Sequence, residues 1–192
     1  MNTPESINIL GVKINKLDME TAFENAKNYL ESDGFHCIYT PNSEIVMSAY
    51  KNPEFREIIN KADMRTADGI GLVHAAKIQG TPLKERVAGF DLVMKLLASL
   101  PELNKSAYFF GSAPGVADEA KAKLEEMYPG INICGTANGY FDDAREKEII
   151  AEIKPLLSAV KNPDPKIAKP QNRNWKENTR KPRTVISKIF SL

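Results

Sequence analysis

The 192-residue chain predicts an α/β fold, a Rossmann-like, mostly parallel sheet with helices on both faces. Short apolar runs alternate with segments whose apolar residues recur at helical spacing, which is the pattern of strand–helix units. Some runs, such as Ala107-Tyr108-Phe109-Phe110, are apolar throughout, as befits strands covered on both faces. No stretch of about 18 apolar residues occurs, so no membrane-spanning helix is expected.

The elements follow in order. Ile7 to Val12 reads as a first extended segment. Met19, Ala22, Phe23, Ala26, Tyr29 and Leu30 form a helical stripe, with Asp18 placed to cap it. Phe35 to Thr40 is a strand and Ser43 to Tyr50 a short helix. Asn52-Pro53 opens another helix, with Pro at its first position, running through Phe55, Ile58, Ile59 and Ala62. Met64 to Ala67 is a strand, and Ile70 to Ile78 a helix stopped by Gly80. Gly89-Phe90-Asp91 begins a helix through Leu92, Val93, Leu96 and Leu97. Ala107 to Phe110 is a strand, Pro114 to Tyr128 a helix, Ile131 to Cys134 a strand, and Ala144 to Leu157 a helix.

Charge divides the chain. Residues 1–156 carry 17 basic and 23 acidic side chains, net −6, whereas 157–192 carry 9 and 2, net +7. Four prolines (Pro163, Pro165, Pro170, Pro182) accompany that shift. A catalytic domain over 1–156 is therefore expected, followed by a basic, Pro- and Asn-rich tail too poor in large apolar residues to pack a core. The overall charge of +1 provides no global field for nucleic acid. The polar, acidic N-terminus lacks the features of a signal peptide. Cys37 and Cys134 lie in apolar runs and read as buried thiols in a reducing compartment, which suits the cytoplasm. With His36 and His74 they make no zinc pattern, and both histidines read as structural.

Two segments carry the chemistry. Tyr39-Thr40-Pro41-Asn42 and Thr66-Ala67-Asp68-Gly69-Ile70-Gly71 each follow a strand and lead into a helix. Both therefore stand at carboxyl ends of strands, where open α/β sheets bind ligands. Thr40, Asn42 and Asp68 would line one crevice, and Asp68 is the candidate general base. The same residue types are also standard caps and turn formers, and spacing alone does not choose. Gly111, Ser112 and Ala113 follow the next strand, where small residues let backbone N–H groups approach a phosphate; a tight turn would look the same. Asn138, Gly139 and Tyr140 form a second loop of this kind. Arg86, in the polar segment between, suits bidentate pairing with a diphosphate, or is a solvated surface side chain.

Thr40-Pro41-Asn42, Ala67 to Val73, Glu85 to Asp91, Phe109 to Val116 and Asn138 to Phe141, in that order, resemble the WecG/TagA/CpsF glycosyltransferase family over about residues 7–156. The resemblance implies transfer of N-acetylmannosamine from UDP to undecaprenyl-diphosphate-linked N-acetylglucosamine, a step in wall teichoic acid linkage-unit synthesis. It puts the family's catalytic Asp on Asp68 and its pocket Thr, Asn and Arg on Thr40, Asn42 and Arg86. It also implies a UDP-sugar donor, a polyprenyl-diphosphate acceptor and a peripheral position at the inner membrane face. Another UDP-sugar, such as the uronic acid, is the alternative within the family; a non-catalytic or NAD-type nucleotide-binding module is the alternative outside it. A homo-oligomer is compatible with the sequence but not readable from it. An inverting transfer is expected, with Asp68 taking the acceptor proton; the chain has no Asp-x-Asp pair, so no metal or cofactor is expected, and Arg86 and N–H groups near Gly111 and Ser112 would stabilise the leaving UDP. Nucleotide contacts are expected from Gly111, Ser112, Ala113, Asn138, Gly139 and Tyr140. After residue 156 the family's further strand and Gly-x-Pro-x-Gln-Glu motif are absent; Lys169-Pro170-Gln171 is the nearest string. That end reads as altered, or as a basic segment for anionic lipids.

Overall fold

The computed structural model describes residues 4–32, 34–156 and 189–191. The α/β expectation holds, and the described residues form two compact units, the first of residues 4–32 and 36–96, the second of 34–35 and of 97 onward.

The first unit opens with a departure from expectation. Ile7 to Val12 is not one extended segment but the centre of an antiparallel hairpin, β1 (Ser6–Ile9) and β2 (Val12–Asn15). Leu10 and Gly11 turn the chain at φ 51° and 88°, the left-handed pair that a two-residue hairpin needs. Leucine seldom adopts that conformation, so the turn is hidden inside an apolar run. The Asn8 side chain accepts from Gly11 N–H at 2.8 Å and closes it.

Helix α1 (Met19–Glu31) is capped by Asp18, which accepts from Thr21 N–H. Then follow β3 (Ile38–Tyr39), α2 (Ser43–Lys51), α3 (Pro53–Asn60), β4 (Met64–Arg65), α4 (Ile70–Ile78) and α5 (Gly89–Leu103). Strands β3 and β4 pair in parallel, Ile38 beside Met64 and Tyr39 beside Arg65. Both are shorter than expected, but their extended path continues. Thr66 N–H donates to Tyr39 O (3.0 Å) and Asp68 N–H to Pro41 O (2.9 Å). This two-residue step carries the register on to Thr40 beside Thr66 and Asn42 beside Asp68.

Side chains alternate across that ribbon. Ile38 and Met64 join Ala22, Ala26, Leu92 and Leu96 of α1 and α5. Tyr39 and Ala67 join the hairpin and residues of α2, α3 and α4, among them Val46, Ile59 and Leu72. Helices thus cover both faces of this pair.

In the second unit β5 (Ser106–Phe110) runs parallel to β6 (Asn132–Ala137), with helices α6 (Val116–Met127) and α7 (Asp143–Leu156). Tyr108, Ala137, Ile149 and Ile153 form its buried cluster, with Phe110 and Phe141 against it. A Cβ on Gly135 would fall 2.5 Å from the Tyr108 ring, so only glycine fits there. Cys37 is buried, but Cys134 is exposed, contrary to expectation. Strand alternation buries Ile133 and turns Cys134 outward.

Most of the basic tail, residues 157–188 and 192, lies outside the described residues. Within it, β7 (Ile189–Ser191) pairs antiparallel with β5, Phe190 beside Tyr108. Among the described residues no helix is long and apolar enough to cross a membrane.

Candidate active site

In the first unit the candidate residues converge on one strand end. Thr40 and Asn42 lie beside Thr66 and Asp68 in the continued β3–β4 register. Asp68 shares its face with Met64 and Thr66, the face toward α5. Its Oδ2 accepts from Gly89 N–H at 3.1 Å, the first residue of α5. Asp68 is therefore not the cap of the helix that follows it. Gly69 holds that position for α4, at φ 145°, with no side-chain cap bond. The second carboxylate oxygen, Oδ1, has no hydrogen-bond partner among the described residues. Asp68 is half-buried, so one oxygen is anchored while the other can meet a substrate.

Glycines make this convergence possible. A Cβ on Gly89 would lie 2.6 Å from Thr40 Oγ1 and 2.9 Å from its Cβ and Cγ2. A Cβ on Gly71 would collide with Ser43 Oγ, and one on Gly69 would reach Asn42 Cβ at 3.6 Å. The starts of α2, α4 and α5 thereby crowd around Thr40, Asn42 and Asp68. Asn42 also caps α2, its Oδ1 accepting from Ile45 N–H at 2.9 Å. Its amide nitrogen is left to point elsewhere.

Arg86 sits in the exposed loop between α4 and α5, with its Nη2 3.9 Å from Asp91 Oδ2. Two contacts hold that loop against the start of α1. Lys84 pairs with Asp18 at 2.8 Å, and Glu85 accepts from Met19 N–H at 2.5 Å. The Lys84 ammonium and the Thr21 groups that bond Asp18 hold its carboxyl well below the usual carboxylate range. The sequence reading missed this tether because its partners are 66 positions apart. Gly89 was legible as a helix start, but its N–H as the partner of Asp68 was not.

His36 packs against its neighbours, whereas His74 faces solvent. His36 stacks on Tyr29 (centroids 4.5 Å, 14°) and bonds Ser32 Oγ at 2.7 Å; His74 is exposed on α4.

The second unit brings the other two loops together. Gly111 N–H donates to Ala137 O (2.9 Å) and Gly139 N–H to Ser112 O (2.8 Å). A Cβ on Gly139 would lie 3.3 Å from Gly111 Cα. Ser112 takes φ 62°, and Ala113 and Pro114 lead to Gly115, the cap of α6, which makes no side-chain cap bond. The first-turn N–H groups of α6 thus lack a side-chain acceptor. Asn138 Oδ1 accepts from Tyr140 N–H at 2.9 Å, and the Tyr140 ring is exposed. A cavity of about 110 Å³ opens among Gly115, Asp118, Thr136, Asn138 and Arg145. It is smaller than the several hundred Å³ of a typical ligand site, and of the six residues expected to contact the nucleotide only Asn138 lines it.

Comparison with known proteins identifies relatives of the chain. A protein of Bacillus spizizenii named N-acetylglucosaminyldiphosphoundecaprenol N-acetyl-beta-D-mannosaminyltransferase is 37% identical over 118 residues, 62% of this chain and 46% of its own length. The protein of that name from Staphylococcus aureus (strain NCTC 8325 / PS 47) is 28% identical over 150 residues, 77% of this chain and 58% of its own. The chain spans about half the length of the curated relatives it matches. The model of the glycosyl transferase WecG/TagA/CpsF family matches residues 7–158, which include both strand-end segments, Arg86 and the two glycine-containing loops, and the chain belongs to that family.

Proposed function

We propose that this chain catalyses, or carries the catalytic part of, transfer of N-acetylmannosamine from UDP to N-acetylglucosamine on undecaprenyl diphosphate, with inversion and without a metal ion. The relatives' names support the donor sugar and the acceptor. The single observation that carries the chemistry is the Asp68 carboxylate, fixed at Oδ2 by Gly89 N–H and free at Oδ1.

In this mechanism Asp68 Oδ1 takes the proton of the acceptor hydroxyl as that oxygen attacks the anomeric carbon. The bond from that carbon to the UDP oxygen breaks, and the electron pair leaves with UDP. Thr40 and the Asn42 amide hold a sugar beside the base. The departing diphosphate gains charge, and electrostatic stabilisation of such charge is a large catalytic effect. Arg86 supplies it with a planar pair of donors. Ser112 and Ala113 offer backbone N–H groups and Tyr140 an exposed ring to the nucleotide, while Gly111, Asn138 and Gly139 shape the two loops, the N–H groups of Gly111, Gly139 and Tyr140 being spent on Ala137 O, Ser112 O and Asn138 Oδ1. The acceptor's lipid requires the protein to work at a membrane surface, peripherally and from the cytoplasmic side.

The test is transfer from UDP-N-acetylmannosamine to a short-chain lipid diphosphate acceptor, scored by disaccharide product and by the configuration of the new linkage. Product of opposite anomeric configuration to the donor is expected. Retention would remove the single-displacement scheme. Binding of NAD but not UDP in calorimetry would replace the transferase reading with a dinucleotide module.

A further inference from the structure

Thr66 is fully buried, yet its hydroxyl has no hydrogen-bond partner among the described residues. Native structures rarely leave such a group unpaired; a water with two to four polar partners is the usual remedy. The continued β3–β4 register supplies those partners. Thr40 is the neighbour of Thr66 across the strands, about 4.8 Å away in backbone spacing. Asp68 is two residues on along the same face, about 7 Å away. Thr40 Oγ1 and Asp68 Oδ1 likewise have no hydrogen-bond partner among the described residues. Gly89 stands over the group, its Cα against Thr40 and its N–H on Asp68 Oδ2.

We propose that Thr66 is a positioning residue of this site: its hydroxyl seats a buried water shared with Asp68 Oδ1 and the Thr40 hydroxyl. The water holds the Asp68 carboxylate in one orientation from below, as Gly89 N–H holds it from the side. Its effect on turnover rests on the transfer reading. Its effect on the folded protein does not.

The experiment therefore has two arms on the full chain. In the first, Thr66→Val, Asp68→Ala and the double variant are compared with wild type by thermal unfolding. Valine keeps the shape and removes the hydroxyl. Loss of a shared water lowers Tm by about 2–4 °C, the shift expected for a small loss in a chain of this size. It lowers Tm by less than half as much in the Asp68→Ala background. In the second arm Thr66→Val lowers kcat about tenfold and leaves KM for the UDP-sugar within twofold. Thr66→Ser, which keeps the hydroxyl, stays within threefold of wild-type kcat. An unchanged or raised Tm in Thr66→Val overturns the proposal, because removing a truly unpartnered hydroxyl is neutral or stabilising. An equal Tm loss in both backgrounds, or equal kinetic damage from Val and Ser, also overturns it and leaves a packing role. If wild type transfers no sugar, the transfer reading fails, and the thermal cycle still decides Thr66.

Discussion

Asp68→Asn separates chemistry from structure at the centre of this site. The amide is nearly the same size as the carboxylate, and its oxygen can still accept from Gly89 N–H. The structural loss is the interaction of a negative charge with the start of α5, worth roughly 0.3–1 kcal/mol in partly exposed settings. In a chain of this size that corresponds to about 2–4 °C in Tm at most. The catalytic loss is much larger. An amide cannot take a proton from the acceptor hydroxyl, and removal of a general base costs on the order of 10²–10⁴ in rate. That corresponds to about 2.7–5.4 kcal/mol of barrier. The two effects differ enough to be read separately. Thermal unfolding should show a shift of a few degrees, and UDP affinity by calorimetry should stay within about threefold. Turnover, followed as UDP release with the lipid acceptor present, should fall at least a hundredfold. Turnover within threefold of wild type would reduce Asp68 to a tether for α5. A collapse of Tm together with activity would mean that the charge holds the fold and that no catalytic role had been measured.

Arg86→Lys keeps the charge but loses the two parallel donors, so kcat should fall clearly with UDP-sugar KM less affected; full activity with Lys would leave Arg86 only a long-range charge. Gly89→Ala forces a methyl against Thr40, an overpacking worth about 1–3 kcal/mol, so Tm and kcat should both fall; a normal enzyme would show that Thr40 can move aside freely. The lowered Asp18 carboxyl stabilises the fold above its ordinary pKa near 3.8, and that contribution is lost as pH falls below this value. The Tm advantage of wild type over Asp18→Asn should be constant from pH 7 to 5 and shrink below pH 4; an advantage that grows on acidification would contradict the Lys84 pairing. Transfer should persist in excess EDTA, and strict dependence on added Mg²⁺ or Mn²⁺ would overturn the scheme of charge stabilisation by Arg86 and N–H groups.

Much of this architecture can be read from local pattern. Gly80 stops Ile70–Ile78, and Asn52-Pro53 opens α3, so those boundaries follow from capping chemistry; the end of α3 at Asn60 carries no such signal, and the apolar spacing runs on to Ala62. Thr40, Asn42 and Asp68 could be picked out because strand ends are positions of known meaning. Their grouping with Thr66 could not, because it depends on register, which hydrogen bonds between distant segments set. The β1–β2 hairpin was hidden by Leu10, a residue that gives no turn signal. Cys134 was misread because an apolar run was taken as buried on both faces, whereas β6 alternates. The pinning of the Arg86 loop by Lys84 and Glu85 leaves no local trace, since polar loops look alike whether tethered or free.

In the proposed mechanism the helix starts take the place of a metal-binding carboxylate pair. Each helix N-terminus carries partial positive charge and unpaired N–H groups, and α2, α4 and α5 all begin beside Asp68. Asn42 satisfies the start of α2, and Asp68 itself occupies the first N–H of α5. The start of α4 is left without a side-chain cap, since Gly69 has none to offer. A side chain at Gly69 would be strained at φ 145°, and one at Gly71 would meet Ser43. The glycines that prevent a cap are thus the same ones that let the helices approach. The result is a strand end where one anion, the Asp68 carboxylate, is already held and where positive potential remains for a second. The proposed transfer, which must ionise a base and stabilise a departing diphosphate at neutral pH, needs that combination, and in that mechanism Arg86 adds the full charge that the helix starts lack.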